Sequence, residues 1–264
     1  MNRSQLGLFA LLLFLCLQPC SHAQDAHAIV QNAVNTEIAA DQADHSCWIF
    51  HEVDRKANGR VTQWVAETPN NDVNRVIMKN GHAISLDQQH KAVDAFVQDQ
   101  SAQAKQREDN EKDSKQADSL LRLLPEAFQW KFSRRTQTST TLQYSPDPSF
   151  KPPTREARVF AAMAGTLTVD NKQHRIREFK GHLVHDVDFG GGILGKLEKG
   201  GTFRIERSQL APGIWDITQS HIHIQGHALI FKSISEQEDD VKTSWTREPD
   251  SVTVQQAASA IFKR

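Results

Sequence analysis

Hydrophobic positions recur at two different spacings along this chain, and the change between them predicts where helices give way to strands. Residues 25–40 are rich in alanine and carry apolar residues at helical spacing, so they predict an amphipathic helix. Strand patterns follow at 47–53 and 60–68, where Trp, Ile, Phe and Val accumulate on both sides of Asn58-Gly59. That dipeptide is a strong hairpin signal. A third strand is predicted over 73–78.

The middle of the chain changes from an amphipathic pattern to a strongly charged one. Ser85 followed by Gln88 predicts a capped helix start, and apolar residues at helical spacing follow it. In the segment 101–118, nine of eighteen residues are charged and the only apolar ones are three alanines. This composition predicts either an exposed helix at about 99–119 or a mobile segment. The leucines of 120–124, ahead of Pro125, predict a short helix that turns back onto the sheet.

From residue 128 onward the pattern is that of strands separated by turns. The predicted strands cover 128–136, 139–144, 165–170, 175–183, 202–207, 215–224 and 227–235. No helix long enough for a parallel crossover lies between them, so they predict an antiparallel meander. A closing helix is predicted at 251–262. The whole pattern predicts an α+β fold: a curved antiparallel β-meander, or half-barrel, with N-terminal, mid-chain and C-terminal helices packed on it.

The first 23 residues have the organisation of a cleavable signal peptide. Arg3 gives the positive start, 6–17 form a short apolar core, and Ser21-His22-Ala23 supplies the small residues before the cleavage site. An apolar run of this length is too short to span a bilayer of ~30 Å. We therefore expect a periplasmic protein whose mature part, 24–264, is a single domain.

Charge and cysteine content limit the classes of partner and of stabilising bond. The chain has 31 basic and 32 acidic residues, so it has no global field that would attract nucleic acid or an anionic bilayer, and its overall charge implies neither partner. Removal of the signal peptide takes away Cys16 and Cys20 and leaves Cys47 alone, so no disulfide can form within the mature chain. Cys47 lies beside Trp48 in a strand pattern, which predicts a buried and unreactive thiol.

Several predicted strands carry large apolar residues at both odd and even positions, and therefore on both faces of the sheet. This pattern indicates that both faces are covered. One face is then expected to pack against helices, while the other lines a cavity or groove that holds a ligand. The alternative is a sheet covered on both faces by its own helices. If a groove exists, the residues expected to line it are Trp48, Trp64, Phe203, Trp215 and Phe231.

The stretch 160–232 carries a pattern of glycines and apolar positions typical of exported bacterial proteins. It reads FAAMAGTLTVDNKQHRIREFKGHLVHDVDFGGGILGKLEKGGTFRIE, followed by GHALIFKSI. This pattern and the predicted order of elements resemble the periplasmic lipoprotein carriers of the LolA and LolB type. The resemblance implies a half-barrel with a helical lid that shelters acyl chains. It also implies a lipid or lipid-modified protein as ligand, a membrane-associated partner, and binding without catalysis. The charged segment 101–118 and the single tyrosine depart from those carriers.

Other chemistry competes with this interpretation. The second half of the chain also offers candidate zinc ligands: His182, His185, His221 and His223, with Asp186 or Asp188. Such a site would suit an exported hydrolase or metal-binding enzyme. The glycines of 190–196 resemble a phosphate-binding loop, but Leu197 stands where Ser or Thr is required. We therefore expect no cofactor. A third alternative is a scaffold that presents 101–118 to a protein partner.

Overall fold

The structure is a computed structural model that describes residues 20–189, 195–228 and 237–264, with side chains from Ala26 onward. Within these ranges the helices are α1 (Cys20–Ala43), α2 (Leu86–Gln98), α3 (Gln100–Ala127), a 3₁₀ helix (Glu156–Ala162) and α4 (Val254–Ile261). The first strands are β1 (Cys47–Lys56), β2 (Gly59–Glu67), β3 (Asp72–Lys79), β4 (His82–Ala83), β5 (Phe128–Arg135), β6 (Ser139–Pro146), β7 (Met163–Asp170) and β8 (Ile176–Leu183). The others are β9 (Val187–Phe189), β10 (Gly195–Leu197), β11 (Thr202–Ala211), β12 (Ile214–His223), β13 (Gly226–Ala228) and β14 (Gln237–Glu248).

Eleven of these strands form one antiparallel sheet in the order β4-β3-β2-β1-β14-β12-β11-β8-β7-β6-β5. The sheet is curved but not closed, so β4 and β5 are its two edges. The predicted α+β half-barrel is therefore confirmed. Strand β14 was not predicted, yet it pairs with both β1 and β12 and so joins the first hairpin to the C-terminal meander. The strands β9, β10 and β13 form a separate small sheet.

Helix α1 covers one face of the sheet at β5 to β8, and we call this face the inner face. Val30 and Val34 of α1 are buried in one cluster with Leu142 and Leu167 of the sheet. Apolar residues therefore alternate with polar ones along β6 and β7, as expected of strands with one covered face. Helix α1 begins earlier than the predicted residue 25. It starts at Cys20 and passes through the predicted cleavage site after Ala23.

A pair of opposed glycines allows an aromatic ring to pack closely inside this core. Gly165 and Gly181 face each other in β7 and β8, and Tyr144 of β6 lies over them. The Tyr144 hydroxyl donates to the Lys180 carbonyl at 3.2 Å, and a Cβ at Gly181 would stand only 2.3 Å from that hydroxyl oxygen. Any larger residue at Gly181 would displace the ring.

Helices α2 and α4 cover the opposite, outer face at β1 to β3. Cys47 and Ile49 of β1 pack there in one buried cluster with Val93 of α2 and Ile261 of α4. The Cys47 thiol is buried, as predicted, and burial raises its pKa to about 11. Both helices begin with a capping box, at Ser85 and at Thr253.

Helix α3 is one continuous helix from Gln100 to Ala127, and it contains the charged segment. The predicted separate helix at 120–124 is wrong, because these leucines continue α3 and pack against the α1 cluster. Pro125 is accommodated near the helix end. In the part of the chain that the structure describes, none of the helices has the length and apolar character needed to cross a membrane.

Candidate functional site

Helix α3 crosses the inner side of the sheet from one corner to the opposite one. Near its start, the Asn71 side-chain amide donates to the Gln103 carbonyl at 2.8 Å and to the Gln106 side chain at 2.9 Å. Asn71 lies in the turn between β2 and β3, near one edge of the sheet. At its other end α3 packs against α1 and leads directly into β5, the opposite edge strand. With 28 residues the helix is about 42 Å long, which is long enough to run diagonally between these two corners of the sheet.

The middle of α3 is exposed in the part of the chain that the structure describes. All nine residues of 107–115 are exposed, although they make two and a half helical turns and therefore point in every direction. A helix that lies on a sheet buries roughly one residue in every three or four. Ion pairs along the helix, Lys105 with Asp109 at 2.6 Å and Glu111 with Lys115 at 2.5 Å, support it instead. Both ends of α3 are anchored, but its exposed middle does not pack on the described part of the sheet.

One row of directly opposed residues shows how the inner face changes from β6 to β1. Its members, taken from β6 across to β1, are Leu142, Leu167, Phe179, Ile205, Ser220, Asp240 and Asp54. The first residues of the row pack under α1, whereas the last three are polar and half-buried. Among the described residues no helix packs on the inner face of β12, β14, β1 and β2, and we call this face the inner groove.

The floor of the inner groove carries opposed charged pairs. Glu52 faces Lys242, and Asp54 faces Asp240, across β1 and β14. One oxygen of Asp54 and one of Asp240 are buried without a hydrogen-bond partner in the described residues. Burial raises the pKa of Asp240 to about 7, with further contributions from Glu52, Asp54 and Glu238. Asp240 is therefore neutral in a large fraction of molecules near neutral pH.

Lys242 is the cation at the centre of this floor. Its ammonium lies 5.1 Å from the centre of the Phe50 ring, and no carboxylate oxygen of the described residues lies within 4.0 Å of it. Burial acts to lower the pKa of Lys242, but the carboxylates of Asp216, Asp240, Glu52 and Glu67 outweigh burial and raise it. Lys242 therefore remains charged and balances part of the negative charge of the floor.

An aromatic cluster closes one end of the inner groove. Trp245 packs against Phe50 with ring centres 4.4 Å apart and ring planes tilted by 33°, and it meets Trp48 edge-on at 6.3 Å. The hairpin between β11 and β12 packs against the same cluster. The Trp48 backbone amide donates to Glu67 at 3.0 Å, while burial, assisted by Asp216 and Asp72, raises the Glu67 pKa to about 8.

The structure does not bring the predicted aromatic residues together in one lining. Trp48 lies in the aromatic cluster, but Trp64 is on the outer face beside α2 and α4, with His51 at 5.3 Å. Phe203 packs on Phe179 in the α1 core, and Trp215 donates from its ring nitrogen to Gln173. Phe231 lies outside the described residues.

The four predicted histidines are only partly brought together. His221 and His223 both approach one oxygen of Asp239, at 2.8 and 2.9 Å, on the outer face of β12 and β14. His182 is separated from His223 by β11, and His185 lies in the turn after β8. Among the described residues, no group of three or more His, Cys, Asp or Glu side chains has a geometry that could hold a metal ion.

The residues of the groove floor were missed in the sequence because strand β14 was missed. Its inner positions, Glu238, Asp240 and Lys242, are all charged, so the strand has no apolar alternation to reveal it. The one sequence signal at this strand is the run of charged residues from Glu238 to Lys242, broken only by Val241. In comparisons with known proteins, no family model matches this chain and no curated protein sequence matches it either.

Proposed function

We propose that the protein is a non-enzymatic, exported binding protein that holds an apolar ligand, such as a lipid or acyl chain, in the inner groove beneath α3. The observation that carries the proposal is the exposed middle of a helix whose two ends are anchored at opposite corners of the sheet. A helix held away from the sheet leaves room for a chain to lie between them. The signal-peptide pattern supports export to the periplasm, and the resemblance to lipoprotein carriers supports the choice of an acyl ligand.

The composition of the groove favours an amphiphilic ligand. Apolar surface is available at Trp245 and along the aliphatic part of Lys242, which lies over Phe50. Each methylene removed from water there contributes about 0.8 kcal/mol. The carboxyl groups of the floor outnumber its lysines, so a neutral or cationic head group is favoured over a free carboxylate. A lipid-modified protein, whose acyl chains carry no charge, meets this requirement.

A bulky residue in the groove is the direct test. Ser220 lies in the inner row of β12, half-buried and opposite Asp240, so Ser220→Trp fills part of the groove. Its neighbour Gln219 is on the outer face, opposite Val241, and Gln219→Trp adds the same side chain to the other side of the same strand. We expect Ser220→Trp to weaken binding of a fluorescent alkyl-amine probe to delipidated protein by roughly tenfold, equivalent to about two buried methylenes.

Gln219→Trp is expected to leave the probe affinity unchanged. Native mass spectrometry of gently purified protein adds an independent measurement, since a retained lipid appears as an adduct of defined mass. If the wild-type protein binds no acyl or alkyl probe, or if both tryptophan variants bind as well as wild type, the inner groove is not the ligand site.

A further inference from the structure

A basic patch lies on β5, one of the two edge strands of the sheet in the described part of the chain. Edge strand β5 carries Lys131, Arg134 and Arg135, and no acidic residue occurs between 127 and 146. The neighbouring turn between β7 and β8 adds Lys172, and Asn171 of that turn donates to the Thr136 carbonyl at 2.9 Å. We call these four cations, together with Phe132, the edge patch.

The charges of the edge patch have no acidic partner among the described residues. All four cations are exposed, and none has a carboxylate within 4.0 Å among the described residues. The nearest acidic group in the turn, Asp170, is bonded to Arg177. Phe132 is 36% exposed, and the Arg135 guanidinium lies 5.6 Å from the centre of its ring. A chain with a net charge of −1 thus concentrates unpaired positive charge and an exposed aromatic ring at one place.

The edge patch presents its cations on both sides of the strand. Lys131 and Arg134 face Gln143 and Thr141 on the outer side, whereas Phe132 and Arg135 face Leu142 and Thr140 on the inner side. An extended acidic peptide paired along β5 would lie in one line and would not cover both sides. A broad anionic surface that meets the strand edge-on contacts all of them.

We propose that the edge patch docks the protein on an anionic phospholipid surface. Lysine and arginine side chains are attracted to anionic head groups, and an exposed phenylalanine inserts at the boundary with the acyl chains. Charged residues on an edge strand also prevent pairing with other sheets. Aspartate or glutamate would serve that purpose equally well, so the single sign of the charge points to an anionic partner.

The test is flotation of the full-length mature protein with vesicles of phosphatidylglycerol and phosphatidylcholine, or of phosphatidylcholine alone. We expect wild type to bind only the anionic vesicles and to be released at about 0.5 M salt. The variant K131E/R134E/R135E is expected to bind roughly a hundredfold more weakly. The matched control K79E/K91E/R122E makes the same change of charge at exposed positions elsewhere and is expected to bind like wild type.

A second pair of variants tests the aromatic contribution. Phe132→Ala is expected to weaken vesicle binding by roughly fivefold. Met78→Ala removes a similarly exposed side chain, 38% accessible, near the other edge of the sheet and is expected to have no effect. Unfolding curves of all variants check that each is folded.

Three results would overturn the proposal: no wild-type binding to anionic vesicles, equal binding to both vesicle types, or unchanged binding by the triple variant. Retention on polyglutamate without vesicle binding would also overturn it, in favour of an acidic protein partner. The vesicle measurement needs no ligand in the inner groove, so its failure is distinguishable from failure of the proposed function.

Discussion

Replacement of Glu37 by alanine is expected to lower the free energy of unfolding by about 4 kcal/mol, because it leaves buried positive charge without a partner. Glu37 of α1 is 3% exposed and bonds to Arg175 at 2.8 Å and to Arg207, while its other oxygen accepts the Ile176 backbone N–H at 2.5 Å. Arg175 is itself only 6% exposed. The loss also detaches α1 from the sheet at the end where it approaches the inner groove.

The measurement is urea unfolding, with two comparisons that separate charge from side-chain removal. Glu126→Ala removes an exposed carboxylate that pairs with His27 at 3.1 Å and is expected to change stability by less than about 0.5 kcal/mol. Glu37→Gln keeps an oxygen for the Ile176 amide but removes the charge, so an intermediate loss of about 2 kcal/mol is expected. A loss below about 1 kcal/mol for Glu37→Ala would contradict a role for this carboxylate in fixing α1.

Periodic apolar patterns made most of the elements predictable. The hairpin at Asn58-Gly59 formed as expected because glycine at 59 adopts a positive φ of 147°. Strand β6 alternates between buried and exposed residues because α1 covers only one of its faces. At 120–124 the leucines suggested a separate helix, but the same spacing also fits the last turns of a long helix. No local signal distinguishes these two outcomes.

The pattern of apolar residues did not predict the strand whose inner face lies outside the hydrophobic core. Strand β14 is charged on its inner side, which faces the groove, and its outer side carries only Val241 as an apolar residue beside Asp239 and Thr243, so a rule based on apolar alternation cannot find it. The prediction that the aromatic residues line one groove was wrong for a related reason. Size and strand position do not reveal which face a residue occupies, and a one-residue difference separates Trp64 on the outer face from Val65 on the inner one.

The buried carboxyl groups of the groove lead to a second large effect, on the pH dependence of stability. The pKa rises from 3.8 to about 7 at Asp240 and from 4.5 to about 8 at Glu67. Between the unfolded and folded pKa values, the folded protein holds protons that the unfolded chain has released. Stability is therefore greatest below pH 4 for these groups and falls as the pH rises from about 4 to 8.

The double variant Glu67→Gln/Asp240→Asn is expected to be more stable than wild type by about 3 kcal/mol at pH 8, with the difference narrowing towards pH 4. This stability gain is well below the free energy obtained by converting both pKa shifts in full. Water reaches part of both side chains and screens their charges. The measurement is the urea midpoint at several pH values between 4 and 8. Glu108→Gln/Asp113→Asn makes the same chemical change in the exposed middle of α3 and is expected to follow the wild-type curve. If instead the Glu67→Gln/Asp240→Asn and wild-type curves run parallel, these carboxyl groups are not protonated in the folded protein, and the groove floor carries its full negative charge at neutral pH.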